Sequence, residues 1–247
     1  MLIHELLPYL FDGQPHILST PMETWLRSSR RFAAFVTTFR DKVRKKLRVT
    51  KDQETLYDLR LELETAYLLL QEPSLSVVYE PPQSERKRSP DFAVTFTTRL
   101  TFMVEVTRLR TIRKKTQSPI QELSALEETL VDAICSKLGQ LLSQQANVLI
   151  IGVDALSLTQ NDFQIAMLHL KQRAEGNDPA FWQRYRFRDR ADFFRYYQRL
   201  SEVIVRGSQL QVDQSPVVWV NPQAKYPLPS KVRTALHHSH TVTFKSK

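Results

Sequence analysis

Hydrophobic and polar residues alternate along two short segments, 92–96 and 102–107, which only a few residues separate. The alternating apolar residues are Phe92, Val94, Phe96, Phe102, Val104 and Val106. Because successive side chains of a strand point to opposite faces of a sheet, this period of two predicts a β-hairpin with its turn at 98–99. The pairing places the apolar residues together on one face and brings Asp91 close to Glu105 on the other face.

These two carboxylates form the first candidate site. Like charges that lie directly opposite each other in a sheet repel. We therefore expect a positive group between Asp91 and Glu105 when both carboxylates are ionised. Oxygen ligands of this kind are typical of a hard divalent cation such as Mg²⁺. The hairpin therefore predicts a metal site.

The remaining pattern predicts an alternation of helices and strands. The predicted helices span 20–47, 50–71, 121–145, 160–173 and 179–200, and the first follows a capping box with proline at Thr20-Pro21-Met22-Glu23. Further strands are predicted at 75–79, 148–153, 203–205 and 217–220, the last two in the same sheet as the others. Residues 1–19 and the tail from 230 show no clear period and are expected to be loosely structured.

Positive charge is concentrated in three segments. The formal net charge is +9, with nine basic residues against one acid in 27–48 and five basic residues without an acid in 108–115. Six arginines occur in 181–200, interleaved with aromatic residues. Such clusters favour a polyanionic partner, because binding to phosphates releases counterions, although solvated helix faces give the same pattern.

The composition also indicates a compartment. Cys135 is the single cysteine, so no intrachain disulfide can form, which is typical of a reducing cytoplasm. The longest apolar run, 148–153, is too short to cross a bilayer, and the first residues lack the pattern of a secretory signal. We therefore expect a cytoplasmic protein that does not enter a membrane.

Ser89-Pro90-Asp91 at the start of one strand, followed by Glu105 on the next, resembles the PD-(D/E)xK nuclease superfamily. The resemblance implies an α/β protein with a restriction-endonuclease-like α-β-β-β-α-β core, in which helices flank a mixed central sheet. We expect this core domain at 50–229, a basic helical extension at 1–49 and a tail at 230–247. The helix, three strands, helix and strand predicted in 50–153 follow the same order.

The resemblance also implies a ligand set for Mg²⁺ or Mn²⁺. Asp91, Glu105 and the carbonyl of Val106 would hold the ion together with a carboxylate from the first core helix. Glu62 and Glu64 compete for that role, and Glu62 fits better because Ala66 and Leu69 follow it as in the family's helix pattern. The chain departs from the family at Thr107, where the motif has a lysine that helps to activate the attacking water.

Lys137 is the candidate substitute for the missing lysine. On the predicted helix 121–145 it falls within the apolar arc of Leu130, Ile134 and Leu141. Lysine is rarely buried without a partner, so this position predicts either a side chain that reaches the carboxylates or a stem whose amine extends to water. Some divergent members of the superfamily carry their lysine on this helix. Arg108 and Arg110 are weaker substitutes, because strand parity places both on the face away from Glu105.

The sequence therefore predicts a metal-dependent nuclease that hydrolyses DNA phosphodiester bonds and that acts as a monomer or a homodimer. The catalytic candidates are Asp91, Glu105, Lys137 and Glu62. The residues expected to contact nucleic acid are Arg86, Lys87, Arg88, Arg108, Arg110, Arg113, Lys114 and Lys115. Two alternatives stay open: a catalytically inactive relative that binds nucleic acid, and a protein whose charge serves acidic protein partners.

Overall fold

The computed structural model describes residues 3–82, 89–109, 119–153, 158–176, 178–207 and 215–240, with the backbone alone at 119–125. Within these ranges six strands form one open sheet in the order β1-β2-β3-β4-β5-β6. The strands are β1 (Leu75–Tyr79), β2 (Phe92–Phe96), β3 (Leu100–Arg108), β4 (Asn147–Val153), β5 (Leu200–Gly207) and β6 (Val217–Val220). Strands β3, β4 and β5 are parallel, and the other neighbours are antiparallel. The protein is thus a mixed α/β protein with a mixed open sheet, as the sequence predicts at this level.

Ten helices occur in the described ranges. They are α1 (Ile3–Phe11), α2 (Ser19–Ser28), α3 (Arg30–Thr38), α4 (Arg40–Val49), α5 (Gln53–Leu69), α6 (Pro119–Leu138), α7 (Gln160–Glu175), α8 (Pro179–Tyr185), α9 (Arg190–Tyr197) and α10 (Ser230–His240). Helices α1–α5 and α10 cover one face of the sheet, and α6–α9 cover the other. Strand β4 is buried on both faces: Val148 and Ile150 lie in the first core, Leu149 and Ile151 in the second.

The N-terminal third differs from the prediction. The expected helix 20–47 is divided into α2, α3 and α4. Between α2 and α3, Ser29 adopts an extended conformation and its hydroxyl accepts a hydrogen bond from the Phe32 N–H, which starts a new helix. Between α3 and α4, Phe39 leaves the helical conformation with φ −104° and ψ +18°. Residues 3–11, expected to be loosely structured, form α1, whose Leu6 and Leu10 are buried. Helices α1–α4 share one hydrophobic core with α5 and the sheet.

Three predicted bounds in the second half also change. The helix expected at 121–145 ends at Leu138. The helix expected at 179–200 is interrupted at Arg186, which has φ +61° in the left-handed region and separates α8 from α9. The expected loose tail contains α10, because Val232, Ala235 and Leu236 provide an apolar face that packs against the first core. A short amphipathic pattern in a histidine-rich segment gave too weak a signal for that helix.

The N-terminal helices also complete the edge of the sheet at β1. The guanidinium of Arg31 donates hydrogen bonds to carbonyls after α5 and to the carbonyl of Leu75. The ammonium of Lys42 donates to the carbonyls of Tyr79 at 3.2 Å and Glu80 at 2.9 Å. Part of the basic segment 27–48 therefore serves the fold, because these cations satisfy main-chain acceptors that no neighbouring strand reaches.

The opposite edge, at β6, has a similar arrangement. The side-chain amide of Gln160 accepts from the Val218 N–H at 3.2 Å and donates to the Val218 carbonyl at 2.7 Å. Gln160 is the first residue of α7, and a capping box between Thr159 and Asp162 fixes this helix end. The amide thus bonds to β6 as the backbone of a further strand would.

Within the described ranges no helix has both the length and the hydropathy needed to cross a bilayer.

A network of buried ionisable groups joins α5, β5 and α10. Glu64 is fully buried, and its carboxylate accepts a hydrogen bond from Arg206 at 3.3 Å. On α10, His237 bonds to the buried carboxylate of Glu202, whereas both ring nitrogens of His240 lack a hydrogen-bond partner in the described part of the chain. Burial, followed by the nearby charges of Arg206 and His237, lowers the pKa of His240 to about 3.

This histidine predicts a loss of stability in mild acid. The pKa of His240 in the folded protein lies below the ordinary value near 6.5. Between these two pKa values the unfolded chain therefore binds a proton that the folded protein does not bind. The contribution of neutral His240 to the free energy of unfolding is fully present above pH 6.5. It falls by about 1.4 kcal/mol for each pH unit below 6.5, until the pH approaches 3. Urea unfolding at several pH values should show this slope in the wild type and a shallower slope in His240→Leu. Equal slopes in both proteins would show that His240 does not titrate on unfolding.

Candidate active site

Strand pairing places the two hairpin carboxylates at neighbouring positions. Phe92 pairs with Val104 across β2 and β3, so the next position in this register sets Asp91 opposite Glu105. Asp91 directly precedes β2, and its Oδ2 accepts a hydrogen bond from the Val106 N–H at 2.8 Å. This bond ties the Asp91 carboxylate to β3 beside Glu105, which is buried.

Lys137 and Glu105 are in contact. The Lys137 Nζ lies 3.2 Å from Oε2 of Glu105, and their side chains are only 12% and 3% exposed. Lys137 stands in the last turn of α6, on the sheet face to which Glu105 points, and it also donates to Gln140 at 3.4 Å. The apolar arc that contains Lys137 therefore directs its amine inward to a carboxylate of the candidate site.

Glu62 of α5 approaches the site from the other core. Burial, followed by the negative charge of Asp91, raises the pKa of Glu62 to about 7. The Lys46 ammonium acts in the opposite direction, since it lies 2.6 Å from Oε1 of Glu62. Of the two acids that the sequence offers, Glu62 is thus near Asp91, whereas Glu64 belongs to the Arg206 network.

The sequence reasoning missed Lys46 and Glu80. The Lys46 Nζ lies 2.8 Å from Oε1 of Glu80 as well as bonding Glu62, and it sits 4.8 Å from the ring centre of Tyr79. Although burial acts to lower its pKa, these two carboxylates raise it overall. Two signals were available: Lys46 adjoins the apolar positions of α4, as Lys137 does on α6, and Glu80 follows β1 at the position opposite Asp91.

Glu80 adopts an unusual backbone conformation. Its φ is +42°, a region that side chains other than glycine seldom enter. Its N–H donates to the Asp91 carbonyl at 2.9 Å, and its own carbonyl accepts from Lys42 at 2.9 Å. The buried Tyr79 hydroxyl has a raised pKa, because it is buried and because the charges of Glu62, Glu80 and Asp91 surround it. The end of β1 therefore holds two ionisable side chains against the carboxylates.

The predicted nucleic-acid contacts fall into two groups. Arg108 is buried on the face away from Glu105, where its guanidinium bonds to Glu54 and Asp58 of α5 and lies 5.3 Å from the Tyr57 ring centre. Its side chain thus serves the contact between α5 and β3. The other candidates, Arg86, Lys87, Arg88, Arg110, Arg113, Lys114 and Lys115, lie outside the described residues.

The donor chemistry of the site suits a hard divalent cation. The site has four carboxylates, those of Glu62, Glu80, Asp91 and Glu105, and two ammonium groups, those of Lys46 and Lys137. When all are ionised, their net charge is −2, which one divalent cation balances. In the described ranges no three Asp, Glu, His or Cys side chains already lie close enough to form a metal site. Binding of an ion would therefore require the carboxylates to move closer together.

The fold and this site define a mixed α/β protein with a partly buried cluster of carboxylates and lysines at the junction of β1, β2, β3, α4, α5 and α6. Comparison of the chain with protein-family models, with curated proteins and with solved structures gives no match. A function for the cluster must therefore be argued from its own chemistry.

Proposed function

We propose that this protein is a metal-dependent nuclease of the PD-(D/E)xK type that hydrolyses phosphodiester bonds in DNA. The observation that carries the proposal is the contact between Lys137 and Glu105 beside Asp91. A lysine that is nearly buried against an acid of the motif supplies the positive charge that Thr107 lacks. The ordinary alternative, an amine that extends to water, does not fit a side chain that is 12% exposed.

The order of the elements supports the same assignment. Helix α5, strands β1–β3, helix α6 and strand β4 follow one another as the resemblance implies, and α5 and α6 lie on opposite faces of the sheet. Asp91 precedes β2, Glu105 lies within β3, and Glu62 comes from the first core helix. Each expected acid thus occurs on the expected element.

The roles of the side chains follow from their chemistry. Asp91, Glu105, the Val106 carbonyl and Glu62 would hold Mg²⁺ or Mn²⁺, which when bound would polarise the phosphoryl group and lower the pKa of the attacking water. Lys137 donates hydrogen bonds next to this centre and stabilises the negative charge that develops in the transition state. Lys46 keeps Glu62 oriented toward Asp91.

Two strands that precede basic stretches in the sequence end at the same end of the sheet as the site. Strands β1 and β3 both run antiparallel to β2, so their C-terminal ends lie at the same end. In the sequence, Arg86-Lys87-Arg88 follows β1, and the basic stretch 110–115 follows β3. Phosphate contacts from such residues position a duplex without reading its sequence.

A second candidate is a catalytically inactive module that binds nucleic acid. One observation favours it: Lys46 and Lys137 already balance Glu62 and Glu105 without a metal ion. This candidate predicts salt-sensitive binding of DNA and no cleavage with any metal.

The deciding experiment is cleavage of supercoiled plasmid with Mg²⁺, with Mn²⁺ or with EDTA. The nuclease requires nicking that depends on the metal, and Asp91→Asn purified in parallel controls for contaminating nuclease. If the wild type and Asp91→Asn nick equally, the nuclease assignment fails. If neither protein nicks but both bind DNA, the inactive module is correct.

A further inference from the structure

Helices α8 and α9 present a surface of arginines, which we call the arginine corner. Its members are Arg184, Arg186, Arg188, Arg190 and Arg195, all exposed, and the half-buried Arg199. Of the eight aromatic residues that alternate with them, five point inward, and Tyr185, Phe194 and Tyr196 are half-buried. Five rings, those of Phe181, Trp182, Phe187, Phe193 and Tyr197, belong to the second core and are at most 7% exposed. The structure thus separates this segment into an aromatic interior and a cationic exterior.

The corner carries more positive charge than its carboxylates balance. Arg188 and Arg195 share one acid, Asp192, and Arg184 pairs with Asp132 at 2.5 Å. For Arg186, Arg190 and Arg199, no carboxylate lies within ion-pair distance in the described part of the chain. Three guanidiniums are therefore available to an anion at this corner.

Several of these guanidiniums are already oriented. Arg190 lies 5.8 Å from the ring centre of Phe194, and Arg195 and Arg199 lie 5.2 Å and 4.5 Å from that of Tyr196. Arg199 also donates to the carbonyl of Leu141 at 3.1 Å. A side chain held in this way loses less entropy when it binds, so contact with a ligand is less costly.

Arg186 stands where glycine is usual. It ends α8 with φ +61° and ψ +31°, a left-handed conformation that is strained for any residue with a side chain. Strained residues of this kind cluster at functional sites. The arginine is exposed, so neither packing nor a salt bridge explains its presence there.

We propose that the arginine corner binds the phosphodiester backbone of nucleic acid, as a second contact surface in addition to the carboxylate site; this rests on the partner class of the proposed function. All six cations of the segment 178–199 are arginines, whose planar guanidinium binds phosphate through paired hydrogen bonds. A membrane surface fits less well, because five of the eight aromatic rings that would enter it are in the core. Arg199 ties the corner to the segment that follows α6, because it donates to the carbonyl of Leu141, four residues after Lys137.

The test is binding of a fluorescein-labelled 20-base-pair DNA, followed by anisotropy in EDTA at several salt concentrations. The double variant Arg186→Gly with Arg190→Gln removes two unpaired cations. We expect at least tenfold weaker binding at 150 mM salt and a salt slope that is smaller by about two. The matched control, Arg99→Gln with Lys231→Gln, removes the same charge from exposed positions elsewhere. We expect its affinity to fall by less than threefold.

Arg186→Gly alone separates binding from folding. Glycine relieves the left-handed strain, so the urea midpoint should stay the same or rise while the affinity for DNA falls.

If both double variants lose affinity equally, the arginine corner is not the binding surface, although the protein binds DNA elsewhere. If polyglutamate or phosphatidylserine vesicles bind at the corner and DNA does not displace them, the partner is an acidic protein or a membrane. If the wild type does not bind DNA, the proposed function falls too, whereas binding through the corner without cleavage removes only the nuclease.

Discussion

We expect Lys137→Met to lower the rate of the proposed DNA cleavage by about 100- to 1,000-fold, the size of effect that follows loss of one preorganised donor to a developing negative charge. Because this ammonium contacts Glu105 inside the site, its removal should act on kcat and leave the affinity for DNA almost unchanged. Single-turnover cleavage with Mg²⁺, together with DNA binding in EDTA, measures the two effects separately. Lys171→Met, at a partly exposed lysine on α7, is the matched control and should cleave as the wild type does.

A second change tests whether Lys137 replaces the lysine that the motif lacks. Thr107 lies on the same face of β3 as Glu105, two residues further on. When it is added to Lys137→Met, Thr107→Lys should raise the cleavage rate at least tenfold above that of Lys137→Met alone. Thr107→Met, added in the same way, should not raise it. Full activity of Lys137→Met would remove Lys137 from the catalytic residues and leave its contact with Glu105 as a feature of the fold.

We expect Arg206→Met to lower the free energy of unfolding by about 3 kcal/mol, the lower end for breaking a buried ion pair, because the buried Glu64 loses its nearer arginine but keeps Arg60 at 3.8 Å. Arg206 is 5% exposed and Glu64 is fully buried, so neither group can recover its hydration in the folded protein. Burial lowers the pKa of Arg206, and Glu64 opposes this effect. Urea unfolding followed by circular dichroism measures the loss.

The partner change makes this prediction specific. In Glu64→Gln with Arg206→Met both charges are absent, so the double variant should lose less stability than Arg206→Met alone. The matched control is Arg184→Met, at an arginine that is half exposed and pairs with Asp132 at the surface. It should lose less than about 1 kcal/mol. A double variant less stable than the single one would show that Arg206 stabilises through its packing instead of its charge.

The parts of the fold with a strong local period were predictable. The alternation around Val94 and Val104 gave both strands of the hairpin, and the apolar run at β4 gave a strand buried on both faces. The breaks were not predictable, because each depends on a single backbone position. Ser29 divides the helical pattern of 20–47 with one extended residue. Arg186 divides the helical pattern of 179–200 in a left-handed conformation that an arginine does not predict.

The candidate site shows the same limit. Asp91, Glu105 and Lys137 were found because a sheet or helix period fixes the face of each residue. Lys46 was not assigned to the site: its place beside the apolar positions of α4 shows that it faces inward, but its contact with Glu62 depends on how α4 packs against α5, which the period of one helix does not report. Glu80 follows the last strand residue, where a left-handed backbone redirects its side chain toward Lys46.

The two edges of the sheet, at β1 and β6, are bonded to side chains, which limits how copies of the chain can associate. At β1 the carbonyls of Leu75 and Tyr79 are already bonded to Arg31 and Lys42, and at β6 the amide of Gln160 occupies both backbone groups of Val218. A second copy that tried to continue the sheet would have to displace these side chains. If two copies act together on both strands of a duplex, they must therefore meet through helical surfaces, and the sheets of the two subunits stay separate.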